Sequence, residues 1–264
     1  MRWYPKKLEN NDLIYHYTKA ETAKIILENS SLKLNPPNNM DDPTEKGDFR
    51  YGFSWNHNLR EWVENLKGAS DPDVLSSNFL LNNYFQKFTK LACFCMTSNG
   101  INGFHRPRMW DQYANKHTGV CIGFSLNSIK EIFIETGIPH IVGKVEYKDL
   151  NQRHININLS FNLLKHTIPK LTDTNQEIIM MKNLIKDHYL TKNLDYRDEN
   201  ELRVILIIKD DDGEYFVDVK SAIKLIITGC NISNDDKGII TALCSDDKDI
   251  YEQSVLNRQY QYVK

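Results

Sequence analysis

The strongest constraint on the fold of this chain is the run LRVILII at 202–208, in which every residue except Arg203 is apolar. A short run that is apolar on both faces predicts a strand buried in the centre of a sheet. It is far shorter than the ~18 apolar residues that a membrane-spanning helix needs, and no other run in the sequence approaches that length. We therefore expect a globular protein built around a buried sheet, with no membrane segment.

The rest of the sequence alternates between strand-like and helix-like patterns. Thr18-Lys19-Ala20-Glu21 fits a capping box, which predicts a helix with Thr18 as its N-cap. The stretch DDDG at 210–213 predicts a turn that joins the strand at 202–208 to the next strand as a hairpin. Further strands are predicted at 13–17, 32–34, 91–96, 119–124, 141–147, 215–219, 225–227 and after 250, and helices at 55–66, 72–85, 107–113 and 235–243.

Strands separated by helices in the first half of the chain, and adjacent in the second half, favour an α+β fold over a doubly wound one. We predict a mixed, mostly antiparallel sheet with flanking helices. The stretch 151–192 is polar with helical spacing and predicts a helical insertion. The length of 264 residues suits a single α+β domain over 1–264 that carries this insertion.

Composition narrows the functional class. Lys and Arg number 33 and Asp and Glu number 35, so the formal net charge of −2 excludes a strongly basic nucleic-acid wrapper but leaves room for a local basic patch. The five cysteines form no C-x-x-C and lie mostly in apolar stretches, as reduced cysteines of a cytosolic protein do. With no signal-peptide core at its start, the chain is predicted to be cytoplasmic. Its oligomeric state does not follow from the sequence.

Standard cofactor motifs are missing from the sequence. It contains no P-loop, no G-x-G-x-x-G and no H-E-x-x-H, and its histidines and cysteines show no zinc spacing, so we predict no metal site. The basic group His105, Arg106 and Arg108 is either a solvated loop or an anion contact at the start of the next helix. Cys95 is a core residue or, if a histidine lies beside it, a nucleophile.

Four segments in order carry a resemblance to a known family. They are YHYT at 15–18, MDDPTE at 40–45, the block from CFC at 93–95 through MWDQY at 109–113 to HTGVCIGF at 117–124, and DENELR at 198–203. Together they resemble the bacterial family known as domain of unknown function 2971. The resemblance spans about 13–230. Cys95 stands where that family commonly has serine.

The same order of segments is also similar to the layout of NAD-dependent ADP-ribosyltransferases. This second resemblance implies that NAD is the substrate. It implies that His16, with its neighbours Tyr17 and Thr18, contacts the ribose or phosphates of NAD. It further implies that Trp110 or Tyr113 stacks on the nicotinamide ring.

The late acidic motif completes this hypothesis. Strand alternation is expected to place Glu199, Glu201 and Arg203 on one face, with the apolar residues between them directed to the core. Cleavage of the nicotinamide–ribose bond develops an oxocarbenium ion, which a nearby carboxylate stabilises. The resemblance implies that Glu201 is this carboxylate and that Glu199 orients the acceptor. In the same hypothesis, Arg203 is expected either to fix the acid or to bind phosphate.

Each of these residues also has a structural interpretation. His16 and the two aromatic side chains suit the core, and Glu201 with Arg203 suits a structural ion pair. We therefore keep three hypotheses. The first is an ADP-ribosyltransferase-like toxin or phage-defence effector that modifies nucleic acid or protein. The second is a non-catalytic module that binds a nucleotide or a partner. The third is a metal-assisted nuclease built on Asp41, Asp42 and Glu45.

Overall fold

The computed structural model describes residues 12–40, 89–98, 100–149, 188–208, 214–244 and 248–264, together with the isolated positions 5, 8, 10, 86, 185 and 186. Its strands are β1 (Leu13–Thr18), β2 (Ser31–Leu34), β3 (Thr89–Met96), β4 (Val120–Ser125), β5 (His140–Lys144), β6 (Glu146–Lys148), β7 (Thr191–Asn193), β8 (Glu201–Ile207), β9 (Tyr215–Asp218), β10 (Ile223–Thr228), β11 (Asp249–Leu256) and β12 (Gln259–Val263). Its α-helices are α1 (Ala20–Asn29), α2 (Pro107–Gln112), α3 (Leu126–Glu135) and α4 (Asn234–Leu243). Short 3-10 turns occupy Pro37–Asn39 and Leu194–Glu199.

Eight of these strands form one sheet in the order β12-β11-β10-β4-β1-β3-β8-β5. All neighbours are antiparallel except β10 and β11, which are parallel. The described residues also form two small sheets, in which β2 pairs with β9 and β6 pairs with β7. The predicted α+β class with a mixed, mostly antiparallel sheet is therefore confirmed.

Hydrophobic clusters cover both faces of the large sheet. On one face, side chains from β1, β3, β4 and β8 pack with those of α1 and α3, and Phe94, Phe124 and Phe133 are fully buried there. On the other face Tyr15, Tyr17 and Trp110 belong to a second cluster. Because β4 contributes side chains to both clusters, it is buried along its whole length. Strand β8 is also buried at every residue, although it carries the charged residues Glu201 and Arg203.

The central strand β1 is paired unequally with its two neighbours. It pairs with β4 at all six of its residues, from Leu13 to Thr18. It pairs with β3 only through Ile14↔Met96 and Tyr15↔Cys95. From His16 onward, β1 and β3 are therefore no longer joined by ladder hydrogen bonds, and space opens between two central strands of the sheet.

The predicted capping box is wrong. Thr18 is the last residue of β1, and α1 begins after Lys19, which makes no side-chain capping hydrogen bond. The helix ends at Ser30, which adopts the left-handed conformation with φ 51°. Pairing with β4 keeps Thr18 in the strand, so the tertiary ladder overrides the local capping pattern.

The predicted hairpin after β8 is also wrong. Strand β9 pairs with β2, from Ser31↔Asp218 to Leu34↔Tyr215, and not with β8. Both sides of β8 are already occupied by β3 and β5, so it has no free edge to offer β9. The segment predicted as one strand at 141–147 forms β5 and β6, which part at Val145. Helix α3 was not predicted.

Most of the predicted helical insertion lies outside the described residues, as do the helices predicted at 55–66 and 72–85. The described end of the insertion is helical at 185–186 and 188–189, but 191–193 forms strand β7, so the helical part ends before residue 191. That the chain is a single domain stays a prediction. The tail supplies two strands, β11 and β12, and β12 is an edge strand of the large sheet.

Candidate active site

The space between β1 and β3 forms a cavity lined by apolar side chains together with a few polar and charged ones. The described residues enclose about 170 Å³. The sequence-predicted residues that line it are His16, Tyr17, Tyr113, Glu199 and Glu201. Three segments remote in sequence therefore meet where the ladder between β1 and β3 is broken.

His16 occupies the point at which β1 leaves β3. Its Nδ1 lies 3.0 Å from the Cys93 carbonyl oxygen. A carbonyl oxygen only accepts, so Nδ1 carries the proton and the neutral ring keeps Nε2 as an acceptor. Burial lowers the pKa of His16 below its usual value, which keeps the ring neutral at pH 7. His16 can thus accept a hydrogen bond from a ligand hydroxyl group.

Glu201 is the first residue of β8 and forms a buried ion pair. Arg203, fully buried, donates from Nε to Oε1 and from Nη2 to Oε2 of Glu201, both at 2.8 Å. A third bond runs from Arg203 Nη1 to the Tyr189 carbonyl oxygen at 2.8 Å. Burial alone would raise the pKa of Glu201, but the charges of Arg203 and Lys192 and the hydrogen bonds of Arg203 outweigh it and lower that pKa. Glu201 is therefore held ionised.

Glu199 lies on the 3-10 turn Leu194–Glu199 and not on β8, so the predicted three-residue strand face is wrong. The next residue, Asn200, has φ 44° and ψ 58°, and this left-handed conformation separates the turn from the strand. Glu199 reaches the cavity from the turn and accepts a 3.3 Å hydrogen bond from the Tyr113 hydroxyl. Burial raises the pKa of Glu199, and the Lys192 charge offsets this only in part.

Lys192 joins the two acids and was missed in the sequence. Its ammonium lies 2.8 Å from Glu199 Oε2 and 3.8 Å from Glu201 Oε2, and the side chain is buried. It also lies 4.6 Å from the centre of the Tyr196 ring. Arg108 adds a weaker contact, 3.6 Å from Glu199 Oε1. A lysine inside a polar, helix-like stretch gives no signal in the sequence that it will be buried against two acids.

The structure separates the other predicted residues from the cavity. Trp110 is fully buried, donates from its indole to the Phe104 carbonyl oxygen and packs edge-on against Tyr17. Thr18 is buried in β1 and does not line the cavity. Arg203 does not line the cavity either, but it is bonded to Glu201, which does. Trp110 therefore has the surroundings of a core residue, and Arg203 has those of a structural ion-pair partner.

Tyr17 does line the cavity, but its hydroxyl is committed. It donates to the Gly103 carbonyl oxygen at 2.7 Å. Cys95 also lines the cavity, and burial raises the pKa of its thiol far above the usual range. A thiol held protonated is a poor nucleophile, so Cys95 suits the core interpretation.

The described residues contain no group of three or more His, Cys, Asp or Glu side chains placed to hold a metal ion. Asp41, Asp42 and Glu45 of the nuclease hypothesis lie outside the described residues. Among the helices of the described ranges, none has the length and hydropathy to cross a membrane.

Comparison with known proteins supports the first resemblance. Residues 109–204 match the model of the family described as Protein of unknown function (DUF2971). The match includes the last four residues of α2, the whole of β4 and the acidic motif at 198–203. The chain is thus similar to this family over the segment that carries Tyr113, Lys192 and both glutamates. A search of the curated proteins found no match.

Two solved structures of DarT from Thermus sp. 2.9 are similar to the chain at low scores. The complex with carba-NAD+ is 11% identical with a TM-score of 0.33, and 94% of this chain and 96% of that chain are covered. The complex with ADP-ribosylated single-stranded DNA is 12% identical with a TM-score of 0.34, at the same coverage.

Proposed function

We propose that the protein transfers ADP-ribose from NAD to an acceptor, with the cavity between β1 and β3 as its active site. The observation that carries the proposal is that His16, Tyr113, Glu199 and Glu201 line one cavity although they come from three distant segments. The predicted residues meet around a break in the sheet, where a ligand can reach buried polar groups. Pockets with a few convergent polar groups and perturbed pKa values are the usual place for such chemistry.

Glu201 is the group that stabilises the transition state in this proposal. The bond between nicotinamide and C1′ of the ribose breaks, its electron pair leaves with nicotinamide, and positive charge develops on the ribose ring. A carboxylate that Arg203 already fixes in place needs no reorganisation when that charge appears. Removing one preorganised electrostatic group of this kind costs about 100–1,000-fold in rate.

Glu199 is the group that handles the proton. The acceptor nucleophile forms the new bond to C1′ and releases a proton, which Glu199 can take. Its pKa is raised while that of Glu201 is lowered, and two neighbouring carboxyls with separated pKa values suit two different roles. His16, with Nε2 as an acceptor, binds a ribose hydroxyl, and the Tyr113 ring is the remaining candidate for stacking on nicotinamide.

The test is nicotinamide release from NAD in the presence of single-stranded DNA, RNA and protein acceptors, together with transfer of label from the ADP-ribose part. We expect Glu199→Gln to lower the rate by about 100- to 10,000-fold, as loss of a general base does. His16→Gln is expected to lower it by about tenfold through one lost hydrogen bond. Glu252→Gln is the matched control because Glu252 lies on β11, remote from the cavity, and pairs with Lys237 of α4.

A thermal melt of each variant separates catalytic loss from unfolding. If a folded Glu199→Gln protein turns over NAD at the wild-type rate, Glu199 is not the proton acceptor. Absence of nicotinamide release by the wild-type protein with every acceptor class would remove the catalytic proposal itself.

The toxin or phage-defence role and the cytoplasmic location belong to the same proposal. Expression in bacterial cells is expected to slow growth, and Glu199→Gln is expected to relieve the effect. Equal growth with both proteins at equal expression would contradict a toxin role.

A second candidate function is a binding module without turnover. The observation that favours it is the Glu201 carboxylate, which already accepts a hydrogen bond from Arg203 on each oxygen, as in a structural ion pair. The enclosed volume of about 170 Å³ is also below the ~300–1,000 Å³ of most small-ligand sites, so it suits one ring of a nucleotide. Calorimetry that shows NAD binding without nicotinamide release would favour this function.

A further inference from the structure

A second cavity, of about 360 Å³, lies at the start of β8 and is rich in positive charge. Its described lining includes three cations, Arg106, Lys144 and Arg197. Asp198 is the single acidic residue among the described residues that line it. The formal charge of this lining is therefore positive, although the chain as a whole carries a net charge of −2.

Arg106 is buried and lacks a counter-ion in the described part of the chain. Its exposed fraction is 7%. Nη1 donates to the Asp198 carbonyl oxygen and Nη2 to the Met96 carbonyl oxygen at 3.1 Å. Its Nε finds no hydrogen-bond acceptor among the described residues. A buried cation bonded only to neutral carbonyl groups is costly, and an anion is the partner that would balance its charge.

Lys144 and Arg197 stand at the mouth of the same cavity. Lys144 ends β5, Arg197 lies on the 3-10 turn, and both are exposed. Within the described ranges, neither has a carboxylate within ion-pair distance. Surface cations without an ion-pair partner are common on proteins. Here two of them lie beside the buried Arg106, so three cationic side chains line one concave site.

The second cavity shares one structural element with the first. The turn at 198–200 carries Glu199 toward the first cavity, while Asp198 and Asn200 line the second. Arg106 holds this turn by its bond to Asp198, and Asn200 Nδ2 donates 2.7 Å to the Met96 carbonyl oxygen that Arg106 also contacts. A ligand that spans both cavities would therefore lie on both sides of Glu199.

We propose that the second cavity binds a phosphate group of the substrate. Guanidinium groups bind phosphate oxygens through directed, charge-assisted hydrogen bonds, and a lysine beside them adds charge. The phosphate belongs either to the pyrophosphate of a dinucleotide or to the backbone of a polynucleotide acceptor. The inference rests on the proposed function for the identity of the substrate, but not for the binding of phosphate.

The experiment measures binding and needs no turnover. ADP-ribose and a single-stranded oligonucleotide are titrated separately into the full chain by calorimetry at several salt concentrations. The test variant is Lys144→Gln with Arg197→Gln, since both side chains are exposed and their loss should leave the fold intact. The matched control is Lys130→Gln with Lys224→Gln, which removes two surface cations elsewhere. Arg106 is kept because it also holds the turn.

We expect the test variant to bind at least one probe about tenfold or more weakly, while the control binds as the wild type does. For the oligonucleotide, the slope of log K against log salt should fall by about 1.4, or about 0.7 for each phosphate that the variant no longer neutralises. Weakening for ADP-ribose alone identifies the pyrophosphate as the source, and weakening for the oligonucleotide alone identifies the backbone. Weakening for both supports the shared site.

Equal binding by the test variant and the control would overturn the proposal, as would failure of the wild type to bind either probe. The two proposals fail separately. Loss of binding in the test variant with no nicotinamide release by the wild type would leave the phosphate site standing without the transferase. If the test variant instead keeps both the binding and the turnover of the wild type, the transferase proposal stands and the phosphate site does not.

Discussion

Removing the Arg203 guanidinium should destabilise the protein strongly, and Arg203→Met is the variant that tests this. Arg203 is fully buried and donates three hydrogen bonds at 2.8 Å, two to Glu201 and one to the Tyr189 carbonyl oxygen. Methionine fills much of the same space but pairs with neither acceptor. The variant thus leaves a buried carboxylate with Lys192 as its nearest cation, 3.8 Å away.

The expected loss follows from the cost of breaking one side of a buried ion pair, which is about 3–5 kcal/mol in the free energy of unfolding. A chain of this size loses roughly 2–4 °C in Tm for each kcal/mol, so the melting temperature should fall by roughly 6–20 °C. Replacing both partners by apolar residues is often neutral. The double variant Arg203→Met with Glu201→Leu should therefore recover much of the stability that Arg203→Met loses.

Urea denaturation followed by circular dichroism gives the free energies for a double-mutant cycle. We expect a coupling energy of at least about 2 kcal/mol between the two positions, within the range found for residues in contact. Two results would refute the reasoning. One is a loss below about 1 kcal/mol for Arg203→Met, which would mean that the guanidinium is solvated. The other is a double variant whose loss equals the sum of the single losses.

Three further predictions concern stability and pH. Gly229→Ala should unfold the protein or destabilise it by several kcal/mol, because the added Cβ would lie 2.1 Å from a backbone oxygen. Gly238→Ala on α4 should instead stabilise the protein by about 0.5–1 kcal/mol, because the added Cβ meets no atom within 4 Å. Thermal melts compare the two variants. Burial lowers the pKa of His188 to about 3, so the unfolded chain binds the proton first and stability falls as the pH drops from about 6.5 toward 3. The free energy of unfolding should fall by about 2 kcal/mol between pH 7 and pH 5. Urea titrations at pH 7 and pH 5 should show this loss in the wild type and not in His188→Gln. Equal pH dependence in both proteins would contradict the assignment to His188. Lys192→Met should raise the pKa of Glu199 further, because the lysine charge partly offsets the effect of burial. The limb of the pH–rate profile that reports Glu199 should therefore move to higher pH. A limb that does not move would show that Glu199 does not exchange a proton in the reaction.

The strands of the sheet were largely predictable because burial leaves a direct trace in the sequence. β4 packs in the hydrophobic clusters of both faces and is apolar along most of its length, and β8 is buried throughout and apolar except for Glu201 and Arg203. The partner of β9 was not predictable in the same way. A turn-forming stretch before it suggested β8, but pairing depends on which edges are free, and the edge that β9 joins belongs to β2, remote in sequence.

The candidate site was predicted in part, and the misses have specific physical causes. The positions of His16, Tyr113, Glu199 and Glu201 around one cavity agree with the order of motifs in the sequence. The spacing of the two acids suggested a common strand face, but one left-handed residue between them removes the alternation on which that inference depended. Trp110 lies on the short helix α2 and Tyr113 directly follows it, and the sequence does not show which of the two aromatic side chains points into the core.

The break in pairing between β1 and β3 connects the fold to the proposed chemistry. A sheet continuous at His16 would satisfy the Cys93 carbonyl with a backbone amide, whereas here the imidazole Nδ1 donates to it. The cavity at this break is also lined by Glu201, which Arg203 fixes in place, and by Glu199 on the preceding turn, whose pKa is raised by burial. Two glutamates that are two residues apart thus have pKa values shifted in opposite directions, because burial dominates at Glu199 whereas the charge and hydrogen bonds of Arg203 outweigh burial at Glu201. An acid kept ionised and an acid able to exchange a proton are the pair that glycosyl transfer needs.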